Sequence, residues 1–257
     1  MTFINLQTSE IFDTLLNLIE PQFQSIVSTD GNTLYAVEAL CRFRDQDTLS
    51  QGLVKQWEKS GYVAHIDMAM LKRVRQCLPQ QLGPIDLRLA VNVSVRTIEI
   101  AADDYLDSLL HLAPLLRRLI VEITETYRPD DWRVVCDFAH QVNQAGMYVA
   151  LDDCSPSHMF WDKDFVKVVA PQFLKLDGGL LNDCLQSEEH EPIKSLVDLS
   201  RRIGARVIAE HIDSERKRDL VAGLGVGFQQ GWFFNKPSPL SSYSSASDQP
   251  KGAAALC

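Results

Sequence analysis

The chain has 257 residues, with 25 Lys and Arg against 34 Asp and Glu, a formal charge of −9. Apolar residues make up 46% and charged residues 23%, a globular composition that excludes collagen-like, coiled-coil and wholly disordered chains. The negative balance argues against a general nucleic-acid binder, which carries a basic face. A chain of this length buries roughly 70–75% of its unfolded surface and needs no disulfide to hold a core. The cysteines, Cys41, Cys77, Cys136, Cys154, Cys184 and Cys257, include no C-x-x-C pair, so a zinc ribbon or thioredoxin-type motif is absent. The opening MTFINLQTSEIF lacks a basic segment ahead of an apolar run. No apolar run approaches the roughly 18 residues of a membrane span. The expectation is a cytoplasmic chain.

Short apolar runs predict strands over 35–43, 87–94, 119–124, 147–152, 172–177, 206–210 and 227–234. Helical periodicity falls between them. Val134, Val135, Phe138, Ala139 and Val142 share one face, as do Ile193, Leu196, Val197 and Ile203. Pro192 suits a first helical turn. The segments QAGMYVALDD and RIGARVIAEH echo each other as helix, Gly, strand, acid. Gly146 and Gly204 fit helix C-termini, where a left-handed residue is needed. Alternating β and α units imply parallel strands with right-handed crossovers. Seven or eight units point to an α/β barrel, with an open doubly wound sheet as the alternative. One domain is expected over 1–240, followed by a Ser- and Ala-rich disordered tail over 241–257.

Polar residues recur late in these apolar runs: Glu38 in YAVEAL, Asn92 in LAVNVS, Glu122 in LIVEIT, Asp152 and Asp153 in YVALDD, Lys175 and Asp177 in FLKLD, and Glu210 in VIAE. A single acid at a strand end is more often a helix cap or a surface ion pair. Six successive strands doing the same need a shared cause. In a parallel barrel the C-terminal strand ends meet at the face that holds the active site. Converging carboxylates either rise in pKa or are neutralised by cations. Carboxylate and amide oxygens are hard ligands, suited to Mg²⁺, Mn²⁺ or Ca²⁺ rather than zinc. The Asp152–Asp153 pair suits two metals and in-line attack of water on a phosphodiester. Lys175 and Asp177 are two apart, so on a strand they face the same way, either as an ion pair or as a group holding a water or phosphate oxygen. Arg42 shares a face with Glu38 and either grips a phosphate or caps a carboxylate.

These segments together resemble the EAL family of cyclic di-GMP phosphodiesterases, over about 21–239. The signature stands as EALCR from Glu38 to Arg42, followed in order by VNVS, VEITE, LDD, KLD, AE and QQGWFFNKP. The resemblance implies a modified (β/α)₈ barrel with one antiparallel strand and two Mg²⁺ or Mn²⁺ ions. By likeness, Glu38, Asn92, Glu122 and Asp152 hold one ion, and Asp152, Asp153 and Glu210 hold or flank the other. Lys175 positions the attacking water, Glu210 serves as base, and Gln230 lies near that water. Gln24, Leu40, Arg42 and Asp177 stand at substrate-contacting positions, and Glu125 is a loop anchor. The implied reaction is hydrolysis of cyclic di-GMP to linear pGpG, with a homodimer and a regulatory protein as further partners in keeping with the family.

Two departures stand out. After Asp153 the family's F-G-T-G-Y-S-S-like loop reads CSPSHMF, with Ser155 and Ser157 in place of glycines and Pro156 between them. The usual A-E-G-V-E reads AEHID, with His211 for Gly. His211 and His158 read as bystanders more readily than as ligands. Trp57, Trp132, Trp161 and Trp232 read as packing residues. The altered loop leaves, beside the enzyme, the alternative of a catalytically weak receptor or protein-binding regulator.

Overall fold

The computed structural model describes residues 16–31, 33–44, 51–79, 85–124 and 127–243. Eight strands close into a barrel in sequence order: β1 (Ile19–Ser28), β2 (Leu34–Phe43), β3 (Ile85–Ser94), β4 (Leu116–Thr124), β5 (Tyr148–Cys154), β6 (Phe173–Leu176), β7 (Arg206–Ala209) and β8 (Phe228–Gln230). Outside them lie α1 (Gln51–Ser60), α2 (Val63–Cys77), α3 (Val95–Leu112), α4 (Arg133–Gln144), α5 (Lys163–Val169), α6 (Gly178–Ser187), α7 (Glu191–Ile203) and α8 (Glu215–Gly223). Strands β2 to β8 pair in parallel, whereas β1 runs antiparallel to both β2 and β8. The barrel, rather than the open sheet, is therefore the fold. No described helix is long and apolar enough to cross a membrane.

The barrel interior is layered by the two-residue period of its strands. Its apolar layer takes one residue from each strand: Ile26, Ala36, Ala90, Ile120, Ala150, Phe173, Ile208 and Phe228. Three alanines leave room for the Ile and Phe side chains of the other strands, so the layer closes without a pore. Two residues further toward the C-terminal ends stand Glu38, Asn92, Glu122, Asp152, Lys175, Glu210 and Gln230. On the antiparallel β1 the corresponding step leads back to Gln24, which pairs in register with Glu38. The other strand face packs against the helices, as Val37, Leu89, Val91, Leu119 and Val121 do.

Strand β1 is absent from the sequence-predicted set because Pro21, Gln22, Gln24 and Ser25 break its apolar pattern. Its amides are satisfied by β2, β8 and the segment at Ser238, which exchanges two backbone hydrogen bonds with Phe23. The expected strand over 227–234 ends at Gln230, where Gly231 starts a turn. Gly146 and Gly204 do take left-handed conformations (φ 78° and 76°) behind α4 and α7. At the end of the described chain, Leu240–Tyr243 forms a short 3₁₀ turn, and the Tyr243 hydroxyl donates to the Phe23 carbonyl at 2.8 Å. The first residues of the expected tail are thus ordered, and 244–257 lies outside the described residues. Cys41, Cys77, Cys136, Cys154 and Cys184 are free thiols.

Gly231 has no room for a side chain. A Cβ there would sit 2.1 Å from the Ile212 carbonyl oxygen, and Ile212 is itself bound to Gln230 and Phe233 through the backbone. Gly231→Ala is expected to lower the unfolding free energy by about 2–3 kcal/mol, the cost of forced overpacking, as read by urea denaturation.

Candidate active site

The ring of polar residues closes over the apolar layer around one cation. Lys175 is buried, and its Nζ lies 2.6 Å from Glu122, 2.8 Å from Glu210, 3.0 Å from Asp152 and 3.6 Å from Glu38. Glu38 is fixed on both oxygens: Oε1 accepts from Asn92 Nδ2 and Oε2 from Gln230 Nε2, each at 2.7 Å. Asn92 and Glu122 sit side by side in register on β3 and β4. Asp177 does not pair with Lys175. It leaves the strand as the N-cap of α6, accepting from the Leu180 N–H.

Consecutive strand residues ordinarily face opposite sides, yet Asp152 and Asp153 both line the cavity. The register between β5 and β6 shifts between Leu151 and Cys154, and Asp153 takes a left-handed φ of 45°. This bulge turns both carboxylates the same way. Opposite it, His211 also has a left-handed φ, 55°, and its ring lies against Gly178, where a Cβ would come within 2.5 Å of the imidazole.

Above the ring opens a cavity of about 570 Å³. Glu38, Asn92, Asp152, Asp153, Lys175, Glu210 and Gln230 form its base, and Gln24, Leu40 and Arg42 its wall. Gln24 donates to the Asn235 carbonyl at 3.0 Å. Arg42 reaches its neighbour's carbonyl, that of Cys41, at 2.8 Å. Trp232 departs from its expected packing role. It is 64% exposed at the cavity rim, with Lys236 Nζ 5.2 Å from its ring centre. Trp57, Trp132 and Trp161 do pack against the core. Glu125 lies outside the described residues.

No residue from Cys154 to Phe160 lines the cavity. His158 N–H donates to the Ser155 carbonyl, a turn with Pro156 at the position that favours proline. Neither Ser155 nor Ser157 has a positive φ, so the serines fit the backbone they occupy. Phe160 is buried between Trp132 and Phe165 and anchors the segment.

Burial raises the Glu38 carboxyl, but the Lys175 ammonium and the amides of Asn92 and Gln230 outweigh it and hold it below the usual carboxylate range. Burial, then the charge of Glu38, pushes Glu122 well above that range. Burial does the same to Glu210 against the pull of Lys175. Asp153 is pushed up to about 7 by burial and by the charges of Asp152 and Asp177. For Lys175 the carboxylates outweigh the burial that opposes its charge, and its pKa rises well above the ordinary value. With Glu38, Glu122, Asp152, Asp153 and Glu210 all ionised, their surplus over Lys175 equals the charge of two divalent cations. The donors fit such ions. Oxygens of Asp152, Asp153 and Glu210 lie within 4.8 Å of one another. Glu122 Oε1 and Gln230 Oε1 are buried without a hydrogen-bond partner among the described residues.

Sequence reasoning missed the support beneath Asn92. The Tyr105 hydroxyl donates to the Asn92 carbonyl at 2.9 Å. Ser94, two residues on, caps α3, gives its N–H to Asp67 and its hydroxyl to Glu58. The available signal was carboxylates among apolar helix residues, as in Ile66, Asp67 and Met70. Burial pushes Asp67 from 3.8 up to about 7, against hydrogen bonds from Thr97 and Ser94. An acid with a raised native pKa binds its proton more tightly folded than unfolded, so it removes stability as pH rises between those values. Asp67→Asn is therefore expected to gain stability relative to the parent from about pH 4 to about pH 7 and to hold that gain above, as followed by urea denaturation across pH.

The chain matches the EAL domain over residues 10–237. It is 24% identical over 230 residues to the bifunctional diguanylate cyclase/cyclic di-GMP phosphodiesterase MucR of Pseudomonas aeruginosa, covering 84% of this chain and 33% of that protein. It is 23% identical over 231 residues to the cyclic di-GMP phosphodiesterase PdeL of Escherichia coli, covering 86% of this chain and 62% of PdeL. The chain spans a third or less of the length of MucR, PdeF of Escherichia coli and PdeB of Shewanella oneidensis. In fold it is similar to the MucR phosphodiesterase in its cyclic di-GMP complex (TM-score 0.72, 22% identity, 88% of this chain and 99% of that one). It is likewise similar to the Bacillus subtilis YkuI protein with cyclic di-GMP and calcium (TM-score 0.71, 21% identity, 90% and 57%). With its acids, amide and lysine standing at the C-terminal ends of consecutive strands, the chain belongs to the EAL domain family.

Proposed function

We propose that this chain hydrolyses cyclic di-GMP to linear pGpG in the cytoplasm, with two divalent cations, Mg²⁺ or Mn²⁺, in the acid ring. The observation that carries the reading is the set of four carboxylates around one ammonium, with Asp153 beside them, seated on an apolar layer and open to a cavity of about 570 Å³. Glu38, Asn92, Glu122 and Asp152 would hold one cation and Asp152, Asp153 and Glu210 the other. Bound there, the cations supply Lewis-acid polarisation of phosphate and activation of water at neutral pH.

The chain's own groups do the rest. Lys175, held charged by its carboxylates, donates a hydrogen bond to the attacking water and stabilises charge on the phosphoryl oxygens. Glu210, 2.8 Å from Lys175, accepts the water's proton. A new P–O bond forms as the bond to the ribose 3′ oxygen breaks, leaving a 5′-phosphate. Gln230 and Asn92 hold Glu38 by two hydrogen bonds, so its orientation is set before substrate arrives. Asn92 spends Nδ2 on Glu38, which leaves Oδ1 for a cation. Arg42 on the wall pairs with the second phosphate, and Gln24 and Leu40 frame it. Trp232 offers an exposed ring for a guanine to stack on.

The test is product formation from cyclic di-GMP with Mg²⁺ or Mn²⁺. The parent is expected to yield pGpG, and Glu38→Ala none. Trp232→Ala is expected to raise KM about tenfold with a smaller change in kcat, since a stacked base is worth about 1–3 kcal/mol. Nucleotide binding without product under either metal would replace the enzyme with the receptor reading.

A further inference from the structure

The opposite mouth of the barrel gathers arginines, with the acids Asp30 and Asp86 at its edge held by Ser28 and Arg117. Two residues below the apolar layer, the inward positions of β3, β4, β5 and β7 are Arg88, Arg118, Tyr148 and Arg206. Tyr35 joins them because the β1–β2 register shifts between Ile26, which faces Ala36, and Val27, which faces Leu34. Each guanidinium lies over a ring. Arg88 is 4.6 Å from the centre of Tyr35, Arg118 is 4.7 Å from Tyr148, and Arg206 is 5.5 Å from Phe228. The rings hold one another, with Tyr35 and Phe228 centred 4.2 Å apart and Phe173 between Tyr35 and Tyr148. Arg88 and Arg118 are register partners on neighbouring strands, and Arg206 stands across the Tyr35–Phe228 pair.

None of the three arginines has a carboxylate partner among the described residues, in a chain of charge −9. The undescribed residues leading into β2 and β3, Asn32 and 80–84, contain no acid. A guanidinium carries five N–H donors. Arg88 gives one to the Tyr35 carbonyl and Arg118 one to the Gly146 carbonyl. Arg206 gives none to a described acceptor and is exposed. All three charges reach the Tyr35 hydroxyl, where they oppose the burial that raises its pKa. Stacked guanidiniums keep their N–H edges free, and those edges match phosphate oxygens in pairs. Covering the aromatic rings would need only apolar side chains. It would not need three like charges that repel one another.

We propose that the N-terminal mouth of the barrel is an anion site for a small ligand bearing two phosphate groups, one held by Arg88 and Arg118 and the other by Arg206. The site is separated from the acid ring by the apolar layer and is independent of the activity proposed above. Inorganic pyrophosphate and a nucleoside diphosphate share this chemistry.

The experiment is isothermal calorimetry of the full chain with pyrophosphate and, separately, GDP, in EDTA-containing buffer so that no cation bridges ligand to the acid ring. Saturable binding is expected, weakened at least tenfold in Arg88→Met/Arg118→Met, whose side chains still cover the rings. Circular dichroism checks the fold. If the double variant does not fold, the exposed Arg206→Met carries the test, with affinity expected to drop at least threefold. Equal affinity for both ligands assigns the site to the phosphates alone, and tighter GDP adds a ring contact. No heat with either ligand, an unchanged affinity in the folded variants, or an equal response to sodium chloride at matched ionic strength would overturn the proposal.

Discussion

The Lys175 ammonium lies within 3.6 Å of Glu38, Glu122 and Asp152, each from a different strand, and of Glu210 just beyond the end of β7. Taking so many charges out of water costs several kcal/mol for each ion, and only close opposite charge and hydrogen bonds offset it. The ring meets that condition in part. Lys175 sits at the centre, Asn92 and Gln230 brace Glu38, and Glu122 keeps an oxygen with no hydrogen-bond partner among the described residues. The arrangement gathers more carboxylates than Lys175 alone can balance. Removing the lysine would leave carboxylates facing one another across a few ångströms, and the barrel's upper half would lose its common centre.

That centre works because of what lies beneath it. The layer of Ile26, Ala36, Ala90, Ile120, Ala150, Phe173, Ile208 and Phe228 blocks water from below. Electrostatic interactions above it therefore act over a short path in a medium of low polarity. The same period of two that supplies the apolar layer places one polar residue from each strand above it. The site is a consequence of strand geometry, with the helices fixing the strand ends through contacts such as Ser94 to Glu58 and Asp67.

Much of this was legible from residue order. Glu38, Asn92, Glu122, Asp152, Lys175 and Glu210 each stand late in an apolar run, and all of them meet. What was hidden depended on long-range pairing or on local distortion. Strand β1 carries too many polar residues for its pattern to show, and it is recognisable only once β2 and β8 accept it. Alternation alone would send Asp153 away from Asp152, and the left-handed turn that brings it back has no glycine to announce it. Asp177 followed the strand on paper but caps a helix in space. Trp232 resembled the other tryptophans in composition and differs in exposure, which no local pattern encodes.

The antiparallel strand β1 has a consequence for how the chain comes off the ribosome. Its two neighbours are β2, a few residues away, and β8, with Gln24 meeting Gln230 across 206 residues of sequence. The β1–β2 hairpin can form early, but its other edge stays open until the end of the barrel has been synthesised. Contacts of such separation close slowly, and an unpaired edge is exposed in the meantime. Since Gln230 is also the residue that fixes one oxygen of Glu38, closure of the sheet and completion of the acid ring are the same event. A nascent chain short of β8 therefore has neither a closed barrel nor the amide that holds Glu38 Oε2, and the acid ring is completed in one step with the last strand.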